Sequence, residues 1–263
     1  MPTSTTHVVQ CTVRGSAAWL TLDRPDVHNA LTLELLDELT AGLDRAERDP
    51  AVRSVVIAAR GPSFCAGADL AMARALHGEN DLPRFLHRAA EVFDALVESP
   101  RPVIAAVQGG VIAGGLELVL ACDLVVATED ATFADGHARY GMFPAAGGTT
   151  RLPRLIGANR AKQLLFTAQR WDAERMREAG LVTEVVPAGE LERAVDALTE
   201  RIGRHSSTGI AGMKRLVDTG AGTSPDRAAA QEMAACEAYA SSADFAEGLA
   251  AFAQGREPRF TGR

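Results

Sequence analysis

Arg101-Pro-Val-Ile-Ala-Ala-Val-Gln-Gly-Gly-Val-Ile-Ala-Gly-Gly-Leu-Glu-Leu-Val-Leu-Ala-Cys-Asp123 is the stretch that decides the fold. Pro102 to Val107 is apolar without polar alternation, the pattern of a strand covered on both faces. Gly109-Gly110 and Gly114-Gly115 then turn the chain, and an apolar helix begins near Gly114 and runs over 115–121. The first N–H groups of a helix have no intrahelical acceptor and lie at the positive end of its dipole. Glycine leaves them unshielded, and Glu117 follows one turn later.

A second glycine-bearing turn, Phe64-Cys65-Ala66-Gly67-Ala68-Asp69-Leu70, lies upstream, directly after the buried-strand run Val52 to Ala59. Two turns that each aim a backbone N–H at one point hold a developing oxyanion, the requirement of thioester enolate chemistry. Further outward the strand, turn, helix rhythm repeats, which predicts an α/β fold. Val8 to Arg14 and Ala17 to Leu22 read as a hairpin about Arg14-Gly15-Ser16. Leu31, Leu35, Leu36, Leu39 and Leu43 recur at helical spacing with Thr32 as a cap, up to Asp49-Pro50. A helix is expected over residues 81–98, strands over 123–127 and 132–134, a helix over 158–167, a short helix over 172–179 closed by Gly180, and a strand over 181–186. From Glu190 on the pattern is helical, with segments at 213–217, 228–240 and 245–252. The expected division is a core over residues 1–195 and a helical region over 196–263.

The apolar content supplies a sizeable core, and the net charge of −7 disfavours nucleic acid as a partner, since phosphate binding needs a basic field. No apolar run approaches the roughly 18 residues of a membrane helix. Cys11, Cys65, Cys122 and Cys236 show no metal-ligand spacing and read as reduced thiols, core thiols at 65 and 122, in a cytoplasmic protein.

The stretch 101–123, preceded by Phe64-Cys-Ala-Gly-Ala-Asp69 and followed by Gly147-Gly-Thr-Thr-Arg-Leu152, closely resembles the enoyl-CoA hydratase/isomerase (crotonase) family. The likeness extends from Leu22-Asp23-Arg24-Pro25 and Asn29-Ala30-Leu31 to Glu247-Gly248-Leu249. It implies a spiral of ββα units, with a C-terminal helical region that packs subunits into trimers or dimers of trimers. It also implies an acyl-CoA thioester as substrate, with coenzyme A entering as part of that substrate and no permanently bound cofactor. Carried over position by position, the oxyanion donors are the N–H groups of Ala68 and Gly114. Glu117 matches the glutamate that polarises water. The second glutamate of the family's hydratases is replaced by His137, in Phe133-Ala-Asp-Gly-His-Ala-Arg-Tyr-Gly141. An imidazole with a pKa near 6.5 still serves as acid or base.

Hydration of a 2-enoyl-CoA is therefore the first expectation, and double-bond isomerisation fits less well. Carbon-carbon bond hydrolysis of a β-diketone or β-keto thioester is the alternative, since some members with that activity carry a histidine here. Those members also carry an aspartate where this chain has Ala145 and Ala146. A non-catalytic acyl-CoA binder is the contrasting class. The resemblance assigns coenzyme contacts to Arg24, Ala66, Ala68 and Leu70. From a neighbouring subunit's last helix it adds Phe252, with Arg256 beside Gly255, where a lysine is expected. Asp135 reads first as a turn cap, His28 as a solvated loop residue, residues 71–83 as a mobile lid, and the loop 145–148 as part of the acyl site.

Overall fold

The computed structural model describes residues 7–262, so residues 1–6 and 263, the outer ends of the two expected regions, lie outside it. β1 (Val9–Arg14) and β2 (Ala17–Leu22) form the expected antiparallel hairpin. α1 (Leu33–Arg48) starts where the Thr32 hydroxyl accepts the Leu35 N–H at 3.2 Å. It buries Leu35, Leu36, Leu39 and Leu43, each contributing about 1.5–3 kcal/mol by leaving water. α1 returns the chain to β3 (Ser54–Ala59), which pairs parallel to β2.

From here a repeat of two strands and a helix builds the molecule. β3 is followed by β4 (Ser63–Cys65), α2 (Leu70–Gly78) and α3 (Leu82–Glu98). Then come β5 (Val103–Val107), β6 (Gly110–Ile112) and α4 (Gly114–Val119), and next β7 (Leu124–Thr128) and β8 (Thr132–Ala134). In each turn the first strand joins one sheet and the second joins another. The larger sheet has the order β1-β2-β3-β5-β7-β10, and the smaller β4-β6-β8-β9. The intervening elements are α5 (Leu152–Ile156), α6 (Ala158–Thr167), β9 (Trp171–Asp172), α7 (Ala173–Ala179) and β10 (Glu184–Val186). The ββα spiral expected from the sequence is the fold observed. β4 and β6 were hidden inside what read as glycine turns, because three residues are too few to show a period. Residues 71–78 of the expected lid 71–83 lie in the helix α2, capped by the Asp69 carboxylate at the Ala71 and Met72 N–H groups.

α8 (Leu191–Gly203) lays Val195, Leu198 and Ile202 against Trp19, Val56, Ile104 and Val126 of the large sheet. The division expected at residue 195 therefore falls inside a helix that belongs to the core layer. α9 (Ser207–Gly220), α10 (Pro225–Ala240) and α11 (Ala243–Gln254) follow. They leave Met213, Val217, Met233, Leu249 and Phe252 exposed. Among the described residues no helix is long and apolar enough to cross a membrane.

Candidate active site

The two glycine turns meet. Leu31 bridges Ala68 in parallel register, donating its N–H to the Gly67 carbonyl at 2.8 Å and accepting the Asp69 N–H at 2.9 Å. In that register the N–H of Ala68 itself points away from Leu31. On the facing turn Ala113 adopts φ +50° and ψ −115°, a positive-φ conformation outside the left-handed helical region, costing on the order of 1–3 kcal/mol outside glycine. Its N–H is fixed to the Ala134 carbonyl at 3.0 Å, and its carbonyl accepts the N–H groups of Leu116 and Glu117, starting α4. A methyl group placed on Gly67 would lie 3.0 Å from the Gly114 nitrogen, and one on Gly114 3.7 Å from the Ala68 nitrogen. The turns are thus in contact across a gap that side chains would fill. Neither the Ala68 nor the Gly114 N–H makes a hydrogen bond among the described residues.

Gly115 has a different task. A methyl there would stand 2.2 Å from the Cys65 carbonyl oxygen, so α4 can lie against β4 only with glycine at this position. Burial among apolar groups pushes the Cys65 thiol up to about 12, which makes it a packing group.

Glu117, only 4% exposed, projects from the first turn of α4 into the same space. Its Oε1 accepts the N–H groups of Ala146 at 2.8 Å and Gly148 at 2.9 Å. The loop supplying these donors is held by Arg151, which donates to the Ala146 carbonyl at 2.7 Å and pairs with Asp94 of α3. One carboxylate oxygen is thereby anchored, and the residue lines a cavity of ≈ 50 Å3 with Ala68, Gly114 and His137. Leu31, Phe85, Leu86, Ala89, Phe93, Phe143, Ala145 and Ala146 complete its wall. Three of these, at 85, 89 and 93, repeat along one face of α3, a spacing legible in the sequence but read there only as a helix. Arg151 gave no signal beyond its place in a motif.

His137 stands at the start of a short 3-10 turn, between left-handed Gly136 and Gly141. Its Nδ1 lies 2.9 Å from Asp135 Oδ1, and its main-chain N–H donates to Asp135 Oδ2 at 3.1 Å. Asp135 is 2% exposed, so it caps the turn and also holds the imidazole; reading it first as a turn cap missed the second contact. Burial depresses the His137 pKa. The hydrogen bond to Asp135, with the negative charges of Asp135 and Glu117, outweighs it and holds the imidazole above the usual histidine range.

A track leads outward from the acid and the imidazole. Ala68 and His137 also line a cavity of ≈ 180 Å3 with Ala66, Leu70, Arg139, Tyr140 and Arg170. Ala66, Ile112 and Arg170 in turn line one of ≈ 380 Å3 with His28 and Ser63, where His28 Nδ1 is 3.0 Å from Ser63 Oγ. Ala66, Ala68 and Leu70, to which the resemblance assigns coenzyme contacts, line one cavity together, and Arg170 lines it with them. Arg24 is committed elsewhere: it donates to the Ala30 carbonyl and pairs with Asp69 at 3.1 Å, tying the loop before α1 to the cap of α2. Phe252 is 89% exposed on α11, and Arg256 pairs with Glu247 at 2.6 Å; neither lines a cavity around Glu117. Larger concavities of ≈ 670 Å3 and ≈ 570 Å3 follow α9 and adjoin neither glycine turn, so size alone does not locate the site.

The model of the family Enoyl-CoA hydratase/isomerase matches residues 12–263. A 2,3-dehydroadipyl-CoA hydratase of Escherichia coli is 36% identical, covering 93% of this chain and 94% of its own length. An enoyl-CoA isomerase/hydratase of Mycosarcoma maydis is 33% identical over 93% of this chain and 92% of its own. The crystal structure of an enoyl-CoA hydratase from Bacillus anthracis superposes with a TM-score of 0.94 at 32% identity, covering 97% of this chain and 100% of that one.

Proposed function

The chain belongs to the enoyl-CoA hydratase/isomerase family, and from that premise we propose that it hydrates a 2-enoyl-CoA thioester, or dehydrates the corresponding 3-hydroxyacyl thioester. One observation carries this reading. Glu117 is anchored through a single carboxylate oxygen in a cavity that it shares with His137 and with the two turns bearing the Ala68 and Gly114 amides.

The thioester carbonyl is received by the Ala68 and Gly114 N–H groups. A water hydrogen-bonded to the free oxygen of Glu117 attacks Cβ as its proton passes to the carboxylate. The π electrons move onto the thioester oxygen as an enolate, and one such backbone donor contributes on the order of 3–4 kcal/mol to that state. The enolate collapses, and protonated His137 gives a proton to Cα through Nε2. Glu117 leaves protonated and His137 neutral; proton exchange with solvent restores both. Coenzyme A enters with the substrate, its pantetheine following the track past Ala66, Ala68 and Leu70, and its nucleotide reaching the outer cavity near His28 and Arg170. Arg24 acts indirectly, by holding Asp69 at the start of α2 beside Leu70. The apolar side chains exposed on α9 to α11 are covered by copies of the same chain in a trimer or dimer of trimers, which brings Phe252 and Arg256 to a neighbour's coenzyme.

Carbon-carbon bond hydrolysis is the second reading, favoured by the carboxylate-backed imidazole of His137. It lacks the acid expected at Ala145 or Ala146. Loss of conjugated-thioester absorbance on incubation with crotonyl-CoA and longer or aromatic enoyl-CoAs tests the proposal. Wild type turns over at least one of them, and Glu117→Gln lowers kcat by roughly 10²–10⁴. Silence across the panel with cleavage of a cyclic β-diketone would establish the second reading, and silence on both with CoA-ester binding intact would mark a binder.

A further inference from the structure

We propose that Asp135 is a positioning residue for proton transfer at Cα: it holds the His137 ring so that Nδ1 carries the fixed proton and Nε2 faces the cavity. The inference rests on the hydration reading and deepens it, since nothing in that reading requires an acid behind the imidazole.

The contact is built rather than incidental. Asp135 directly follows β8 of the small sheet and is almost wholly buried. Gly136 follows at φ +75°, and a methyl there would stand 3.0 Å from Ile112 Cγ2, so only glycine doubles the chain back here. That reversal lets one carboxylate accept two donors from a residue two places on, Oδ2 the main-chain N–H and Oδ1 the ring nitrogen. A carboxylate only accepts, so the ring nitrogen facing it must be Nδ1–H. Nε2 is then the atom that gives or takes a proton. The other charged groups around the ring are Glu117 from α4, and Arg139 and Arg170 along the outer cavity.

Asparagine cannot reproduce this arrangement. It offers one oxygen and one NH2 group to two donors. If its oxygen faces the ring, its NH2 confronts the His137 N–H. If its oxygen faces the main chain, its NH2 donates to Nδ1 and the ring proton moves to Nε2. The second arrangement satisfies every group, so Asp135→Asn puts the proton on the wrong nitrogen.

The test combines kinetics with nitrogen-15 NMR of the imidazole in the full-length protein. Asp135→Asn should lower kcat for crotonyl-CoA hydration by about 10²-fold, the lower range for lost general acid catalysis, with little change in KM. The alkaline limb of its pH profile should move to lower pH. In a His137→Ala background the same substitution should change kcat by less than about threefold, because a residue acting through the imidazole has nothing left to act on. The neutral imidazole should be Nδ1–H in wild type and Nε2–H in Asp135→Asn. An equal loss in both backgrounds, or an Nε2–H tautomer in wild type, would overturn the proposal. The tautomer is read without turnover, so an enzyme with Nδ1–H in place but no hydration of any enoyl thioester would sink the hydration reading alone.

Discussion

At the scale of single residues, the proposed proton transfer from His137 ties the rate to the state of one imidazole. On that mechanism hydration needs the imidazolium, and the folded-state pKa lies above the usual 6.5 because Asp135 and Glu117 outweigh the cost of burial. Hydration kcat/KM should therefore fall as pH rises through that raised value, while dehydration, which needs neutral imidazole, should gain through the same range; rate profiles in both directions check this. The sign for stability follows by linkage. The folded state holds the proton more tightly than the unfolded chain, so the stabilisation is fully present below about pH 6.5 and is lost as pH rises through the folded value. That Glu117 and His137 would face one cavity was legible from their place in the motifs. The second contact of Asp135 was not, because a carboxylate two residues before a histidine is an ordinary turn cap until Gly136 is known to reverse the chain.

At the scale of elements, the strand, turn, helix units divide the labour between adjacent glycines. Gly115 serves packing, because a methyl there meets the Cys65 backbone at 2.2 Å. Gly114 serves the cavity, because a methyl there meets only the tip of Leu31 at 3.1 Å but intrudes on the space before the Ala68 nitrogen. Gly115→Ala should thus lower stability by about 1–3 kcal/mol in urea unfolding, as overpacking does. Gly114→Ala should stay folded and lose hydration by a factor approaching the roughly 10²-fold of one missing oxyanion donor. The reverse order of effects would show that the two turns have been assigned the wrong tasks. The long periodic elements, α1, α3 and β5, were readable because each buries one face or both over several residues. β4, β6 and β9 were not, since strands of two or three residues are specified by the sheet they join. α2 escaped for a different reason: its helix buries no residue fully, so its apolar positions carry no clean stripe.

At the scale of the whole molecule, the C-terminal helices meet the core through few polar links. One is Lys214 of α9, whose side chain is 9% exposed and donates to Asp123 Oδ2 at 2.7 Å and to the Leu96 and Arg101 carbonyls at 3.3 Å. Lys214→Met should cost about 1.5–3 kcal/mol, as hydrogen bonds to charged groups do, and should speed hydrogen exchange in α9 before the core opens. The spiral and the helical region were both legible in the sequence. The layer to which residues 191–203 belong was not, because their apolar stripe does not say which surface it covers. The account as a whole turns on the Ala68 and Gly114 amides sharing one carbonyl oxygen. Difference infrared spectroscopy of crotonyl-CoA carrying carbon-13 at the thioester carbonyl reads that contact directly. The bound carbonyl stretch should lie below that of the free ester in water, and should move back toward it in Gly114→Ala. A bound ester whose carbonyl vibrates as it does in water would contradict the account.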